Sequence, residues 1–246
     1  MTQYGFFFDQ TRCYGCQACA TACKDWNNLE PGPEKWMCVY EWETGAFPSM
    51  RIHELAFSCG HCDNPACVPA CPEGAIFKED EYGAVLVDQD KCVGCRSCAE
   101  ACPYGAPKFA SEDPGAKMSK CTMCIDRLAA GDLPQCVLAC PIRAFDFGPM
   151  DEMVAKYGND RRVEGMSDTD VVVNEVFKPL QPKQDVIPLD VERLMALQKK
   201  RGTLPDTFES VSDVIDIPEG IRFRDSLHMK NLTAQEVMRA TRNDLG

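Results

Sequence analysis

The stretch that decides the fold is CVGCRSCAEACP at residues 92–103, in which four cysteines are spaced CxxCxxCxxxC and proline follows the last one. Three cysteines at two-residue intervals let a short loop wrap around one face of an iron–sulfur cubane. Gly94 allows the tight backbone turn that this wrapping needs. Cys102 lies where the chain leaves the loop, and Pro103 stops it from continuing regularly. The stretch therefore predicts ligands of a [4Fe–4S] cluster.

The same pattern, with variations, accounts for sixteen of the seventeen cysteines. Proline follows the last cysteine in three of four groups, at Pro72, Pro103 and Pro141, whereas Lys24 takes this place in the first. Gly15 repeats the role of the loop glycine in the first group. The groups are I (Cys13, Cys16, Cys19, Cys23), II (Cys59, Cys62, Cys67, Cys71), III (Cys92, Cys95, Cys98, Cys102) and IV (Cys121, Cys124, Cys136, Cys140).

Two other uses of many cysteines fit this pattern poorly. Disulfide frameworks are typical of small secreted chains without a sufficient core, and this chain has 246 residues. Structural zinc uses two separated CxxC pairs, or such pairs with histidine. Three cysteines in CxxCxxC are too many for one zinc ion and too close together for two. The pattern therefore favours iron–sulfur clusters.

The spacing between groups predicts how they combine. Groups II and III are joined by residues 72–91, which read as a β-hairpin of residues 75–77 and 83–87. This layout is typical of bacterial two-cluster ferredoxins, in which the fourth cysteine of each run ligates the other cluster. Groups II and III therefore form one predicted module, nested inside a second made by groups I and IV.

This exchange rule predicts an α+β fold with two nested ferredoxin-like 2×[4Fe–4S] modules and a largely irregular C-terminal extension. The predicted boundaries are 1–58 with 103–148 for the outer module, 59–102 for the inner module and 149–246 for the extension. The predicted ligand sets are Cys13, Cys16, Cys19 and Cys140 for cluster 1; Cys23, Cys121, Cys124 and Cys136 for cluster 2; Cys59, Cys62, Cys67 and Cys102 for cluster 3; and Cys71, Cys92, Cys95 and Cys98 for cluster 4.

Two segments lie outside the cysteine groups. The insert at 25–58 carries all three tryptophans and Cys38, which we interpret as core residues of the insert. The extension from residue 149 has no cysteine. Capping patterns predict helices at 190–201 and from Thr233. Because this extension has little core of its own, we hypothesise that it wraps around a larger subunit.

Charge and flanking residues limit the possible partners. The net charge of −12 and the absence of a basic stripe argue against nucleic acid as a ligand. The histidines at 53, 61 and 228 show no metal-ligand spacing. Six basic residues lie beside the cluster loops: Arg12, Lys91, Arg96, Lys120, Arg127 and Arg143. A positive charge close to a cluster raises its reduction potential, and the alternative is that these residues are surface charges or salt-bridge partners.

The N-terminal stretch MTQYGFFFD lacks the basic segment and cleavage site of a signal peptide. No apolar run approaches the length of a membrane span. We therefore expect the protein to stay in the cytoplasm, or to be exported already folded with a partner that carries the signal. Attachment to a membrane would require another subunit.

Over residues 3–155 the sequence resembles the four-cluster iron–sulfur subunits of DMSO-reductase-type molybdopterin oxidoreductases. The motifs that carry the resemblance are QYGFFFD at 3–9, RCYGC at 12–16, ACKD at 22–25, CGHCDNPAC at 59–67, CPYGAP at 102–107 and RAFDFGP at 143–149. The family shares Lys24 after group I. Some members replace the second cysteine of group III, but Cys95 occupies that position here, which implies a complete [4Fe–4S] cluster.

The resemblance implies a non-catalytic subunit that carries electrons between a large molybdopterin-containing catalytic subunit and a membrane anchor or another redox partner. It also implies that cluster 1 faces the catalytic subunit and cluster 4 the far partner. Two alternatives stay open: the equivalent subunit of a formate dehydrogenase or hydrogenase complex, and a stand-alone polyferredoxin. A non-redox scaffold fits less well.

Overall fold

The structure is a computed structural model that describes residues 2–46 and 50–181. It is a mixed α/β arrangement of short helices and small sheets, as the predicted α+β class requires. The strands are β1 (Tyr4–Asp9), β2 (Cys38–Thr44), β3 (Arg51–Phe57), β4 (Ile76–Lys78), β5 (Val85–Val87), β6 (Lys108–Phe109), β7 (Met118–Ser119), β8 (Phe145–Pro149) and β9 (Glu175–Lys178). The helices are α1 (Ala18–Trp26), α2 (Ser97–Ala101), α3 (Ile125–Ala129), α4 (Gln135–Ala139) and α5 (Met150–Tyr157).

The largest described sheet has the order β8-β1-β9, with β1 antiparallel to β8 and parallel to β9. Its central strand β1 is buried on both faces, which explains the uninterrupted apolar run of Phe6, Phe7 and Phe8. Because side chains alternate along a strand, Phe6 and Phe8 contact the main core while Phe7 packs on the other face. There Phe7 stacks on Tyr157 of α5, with ring centroids 3.6 Å apart.

The start of the predicted C-terminal extension differs from the prediction. Helix α5 packs against β1, β8 and β9, and β9 completes the sheet. Met153 and Val176 are buried in this contact. Residues 150–178 therefore belong to the folded core instead of forming a separate extension. The predicted helices at 190–201 and from Thr233, and His228, lie outside the described residues.

The insert forms the antiparallel hairpin β2–β3. Trp42 is fully buried and stacks on His53, so the core role predicted for the tryptophans holds for this residue. Trp36 is half-buried and donates a hydrogen bond from Nε1 to Ser119 Oγ at 2.8 Å. Trp26 differs from the prediction, since 42% of it is exposed and its ring lies against the Arg127 guanidinium.

The predicted hairpin between groups II and III is present as β4–β5, with Ile76 paired to Val87. The even shorter hairpin β6–β7 follows group III. Ile76, Val85 and Met118 from these hairpins form a small core with Cys98. The group III loop is therefore held against two hairpins, and the inner cysteines acquire an apolar lining.

Candidate iron–sulfur sites

All seventeen cysteines lie in described residues, and all are free thiols. Cys38 stands apart from the four groups, half-buried on β2, with Sγ 3.8 Å from the carbonyl oxygen of Lys35. Its predicted role as a packing residue agrees with this position, since it contacts the main core. The other sixteen thiols belong to the four groups found in the sequence.

Two cavities gather the inner cysteines, and each takes members from both group II and group III. The first is lined by Cys59, Cys62 and Cys67 of group II and by Cys102 of group III. The second takes one cysteine from group II, and its cysteines are Cys71, Cys92, Cys95 and Cys98. In each cavity the cysteine from the other group is the one that precedes proline.

Electrostatic effects among the outer cysteines link group I with group IV. Burial, with the nearby Cys13, Cys140 and Cys16 sulfurs, raises the pKa of the Cys19 thiol to about 12. Burial also raises the pKa of Cys136 well above its usual value, and Cys121, Cys23 and Cys124 add to the rise. Electrostatic neighbours thus come from group I and group IV together.

The chemistry of these thiols suits a metal cluster. Burial and neighbouring thiols raise the pKa of Cys62 to about 12 and that of Cys98 to about 11, so these two thiols are protonated at neutral pH when no metal is bound. Thiolates form only when a cationic centre compensates their charge, and binding then releases protons. Among the described residues, no group of three or more histidine, cysteine, aspartate or glutamate side chains is placed around a single metal ion. The inner cysteines instead surround cavities.

Backbone N–H groups are aimed at several of these sulfurs. The cysteine before proline in groups II, III and IV accepts a bond from the residue four positions later: Ala75 to Cys71 at 3.3 Å, Ala106 to Cys102 at 3.4 Å and Ala144 to Cys140 at 3.2 Å. Such N–H···S bonds stabilise charge on the sulfur and tune the potential of a bound cluster. The three groups therefore share one local geometry.

The residue after the last cysteine explains why group I departs from this geometry. Proline pushes the residue before it into an extended conformation, and Cys102 and Cys140 accordingly end α2 and α4 with ψ of 113° and 111°. In group I, Lys24 lets α1 continue to Trp26. The Asn27 amide then takes the place of the backbone donor, with Nδ2 3.8 Å from Cys23 Sγ.

We predict that Lys24→Pro unfolds the last turn of α1 and lowers the thermal midpoint. Proline inside a helix costs about 3 kcal/mol, or roughly 6–12 °C for a chain of this size, measured by circular dichroism. The control Lys24→Ala loses the Nζ hydrogen bonds to the carbonyl oxygens of Gly32 and Glu34 but keeps the helix. Its shift is expected to be less than half as large, and equal shifts in both variants would contradict the prediction.

The loop glycines have the backbone conformation that the sequence predicts. Gly15 and Gly94 have φ of 71° and 74°, in the left-handed region that favours glycine. A Cβ at Gly94 would lie 2.6 Å from the carbonyl oxygen of Ala116. Gln17 and Arg96 follow in left-handed conformations and begin α1 and α2. The loops therefore turn tightly before each short helix.

A segment that sequence reasoning missed closes over the first inner cavity. Val171 lines this cavity, and its carbonyl oxygen accepts a bond from the Tyr104 hydroxyl at 2.8 Å. The buried Asn174 donates from its backbone to Gly60 and from Nδ2 to His61, both to carbonyl oxygens at 2.8 Å. The apolar run at 171–173 was the available signal, but it gave no indication of which loop it contacts.

His61 lies in the group II loop but does not line the cavity. It is fully buried, and its Nδ1 accepts a hydrogen bond from the Val85 backbone at 2.9 Å. Burial, with the positive charges of Lys120 and Lys78, holds its pKa well below the usual range. The neutral ring therefore fastens the loop to β5.

Five of the six basic residues beside the loops form ion pairs or hydrogen bonds as surface charges or salt-bridge partners, which is one of the two roles that the sequence allows. Four of them form ion pairs: Arg12 with Asp9, Lys91 with Asp88, Arg96 with Glu112 and Arg127 with Asp132. Arg143 is exposed and donates to backbone carbonyls at 138 and 140. Lys120 differs, because only 2% of it is exposed and it lines the first inner cavity.

Comparison with known proteins agrees with this geometry. A family model described as a 4Fe–4S dicluster domain matches residues 51–150. The sequence is 46% identical over 166 residues to one of the chains of anaerobic dimethyl sulfoxide reductase from Escherichia coli K12, covering 64% of this protein and 79% of the relative. It belongs to the family of iron–sulfur electron-transfer subunits that includes this relative. The predicted resemblance is thereby confirmed.

Other members of this family are also similar to the protein. The corresponding chain of anaerobic dimethyl sulfoxide reductase from Haemophilus influenzae is 40% identical over 190 residues, covering 73% of this protein and 90% of the relative. A subunit of the sulfite dehydrogenase from Allochromatium vinosum is 41% identical over 172 residues, covering 62% and 71%. The protein is thus an iron–sulfur electron-transfer subunit of a complex and not its catalytic component. None of the helices in residues 2–46 and 50–181 is long and apolar enough to cross a bilayer.

Proposed function

We propose that the chain holds four [4Fe–4S] clusters in two nested modules and relays electrons through them. The observation that carries this proposal is the crossed composition of the two inner cavities. The proposed sets are Cys13, Cys16, Cys19 and Cys140; Cys23, Cys121, Cys124 and Cys136; Cys59, Cys62, Cys67 and Cys102; and Cys71, Cys92, Cys95 and Cys98. They are called clusters 1 to 4 in this order.

The proposed modules follow from these sets. Residues 59–102 form the inner module, and residues 1–58 with 103–148 form the outer one. The packing of α5 and β9 on β1 supports adding residues 150–178 to the outer module. The remaining C-terminal residues keep their proposed role as a segment that docks on a larger subunit.

When bound, the clusters supply one-electron redox chemistry. The described residues orient the thiolates, donate N–H groups to sulfur and exclude water. Cys16 and Cys95 are exposed, whereas all the other cysteines are buried or half-buried. Their neighbours Tyr14 and Val93 are also exposed, at 56% and 55%. Clusters 1 and 4 are therefore the proposed points at which electrons enter and leave.

The proposed partner at cluster 1 is a molybdopterin-containing catalytic subunit, because the similar chains are named as parts of dimethyl sulfoxide reductase and sulfite dehydrogenase. A membrane anchor or another redox partner takes the opposite end at cluster 4. The exposure of Cys16 and Cys95 supports two separate docking surfaces, since a redox partner can approach these two cluster sets directly.

Anaerobic purification from the native cell with metal analysis tests this proposal. We expect about sixteen iron atoms per chain, together with molybdenum or tungsten in a larger co-purifying subunit. A nickel-containing partner would favour a hydrogenase complex, and a chain purified alone would favour a polyferredoxin. Stoichiometric zinc without iron would exclude the cluster assignment altogether.

A further inference from the structure

Lys120 is a charged side chain buried inside the protein. Its ammonium group donates hydrogen bonds to the carbonyl oxygens of Val85 and Cys121, the latter at 3.0 Å. Among residues 2–46 and 50–181, no carboxylate forms an ion pair with it. A buried charge without an opposite charge is costly, so a compensating negative group is required nearby.

The position of Lys120 identifies that group. Its side chain lines the cavity of the cluster 3 cysteines, and its backbone precedes Cys121 of the cluster 2 set. Cys59 and Cys121 belong to one small buried group with Ala106, where the inner and outer modules meet. Lys120 therefore acts on both sets from their junction.

We propose that the buried positive charge of Lys120, at the junction of the two modules, raises the reduction potentials of clusters 3 and 2. Each cluster gains one electron, and hence one negative charge, when its redox neighbour loses that electron. A cation at the junction stabilises the more negative, reduced form. This inference rests on the ligand sets proposed above.

The sequence offers a matched control. Lys91 precedes the first cysteine of group III, as Lys120 precedes the first cysteine of group IV. The Lys91 side chain is 61% exposed and paired with Asp88 at 3.2 Å, so water and its partner screen its charge. The two lysines therefore share one sequence position but differ in burial.

The experiment is an EPR-monitored redox titration of the full chain, purified anaerobically with its clusters. At fixed ambient potential, Lys120→Gln is expected to lower the ratio of reduced to oxidised cluster 3 about tenfold, equivalent to about 59 mV for a one-electron couple. Cluster 2 is expected to shift in the same direction. Lys120→Arg keeps the buried charge, and Lys91→Gln removes only a charge that is already screened. In both variants, the ratio of reduced to oxidised cluster is therefore expected to stay within about twofold of that in the unmodified chain.

The cluster 3 signal is identified as the one absent from Cys67→Ala. Iron content distinguishes a failure of the proposed function from a failure of the Lys120 proposal. If the unmodified chain does not hold about sixteen iron atoms, the proposed function is contradicted. Four intact signals with unchanged potentials in Lys120→Gln overturn only the inference on Lys120. Loss of iron from Lys120→Gln also overturns it, because Lys120 would then be needed for assembly and not for the potential.

Discussion

Replacing Cys102 with alanine is expected to abolish the cluster held by group II, although Cys102 belongs to group III in the sequence. The reason is the lining of the first inner cavity, where Cys102 joins Cys59, Cys62 and Cys67. Iron content should fall by about four atoms of about sixteen per chain. The lost EPR signal should be the one lost in Cys67→Ala.

The comparison variants are Cys98→Ala and Cys38→Ala. Cys98 lines the second inner cavity, so its replacement should abolish a different EPR signal. Replacing Cys38, the seventeenth cysteine, should leave the iron content unchanged, because Cys38 lines neither inner cavity and is not among the sulfurs that raise the pKa of Cys19 or Cys136. If the Cys102 variant lost the same signal as the Cys98 variant, each group would bind its own cluster and the crossed ligand sets would be refuted.

The proposed grouping of the cysteines could be derived from the sequence because cluster ligation imposes strong local spacing. Four short runs identify sixteen residues, and the exchange rule of two-cluster ferredoxins pairs them. The hairpin β4–β5 was predictable for a similar reason, since both strands and their turn lie within one short stretch. Local patterns carry this information without any knowledge of distant contacts.

Two features depended on distant contacts, and the sequence did not indicate them. Strand β9 pairs in parallel with β1, from the opposite end of the described chain, and nothing in its four residues specifies that partner. Lys120 and Lys91 have the same position relative to a cysteine group, yet only Lys120 is buried. The buried Lys120 ammonium bonds to the Val85 carbonyl oxygen, 35 residues away along the chain, and no local pattern records this contact.

Gly60→Ala is expected to destabilise the group II loop strongly. An added Cβ would lie 2.5 Å from Cγ1 and 2.7 Å from Cβ of Val173. Val173 is buried, and the backbone bond from Asn174 to Gly60 holds its segment in place. Overpacking of this kind costs about 1–3 kcal/mol, or roughly 2–12 °C in thermal midpoint, followed by the loss of visible cluster absorbance.

A double variant tests the cause. Gly60→Ala with Val173→Gly removes both clashing atoms and leaves only the Val173 Cα, at 3.4 Å. The combined loss of stability should be smaller than the sum of the two single losses. Gly148→Ala is the control, since its added Cβ would meet only the flexible end of Met153 at 3.1 Å. Strict additivity in the double variant would show that the Val173 contact is not responsible.

The pairing of β1 with both β8 and β9 has a consequence for how the protein is made. Phe6 has Phe147 and Glu175 as its sheet neighbours, so β1, the first described strand to be synthesised, pairs fully only after β9, the last described one, has been made. At typical synthesis rates of about 5–20 residues per second, this wait lasts roughly ten seconds or more. Residues 59–102 are complete much earlier, so nascent-chain maturation is expected to run from the middle of the polypeptide outward.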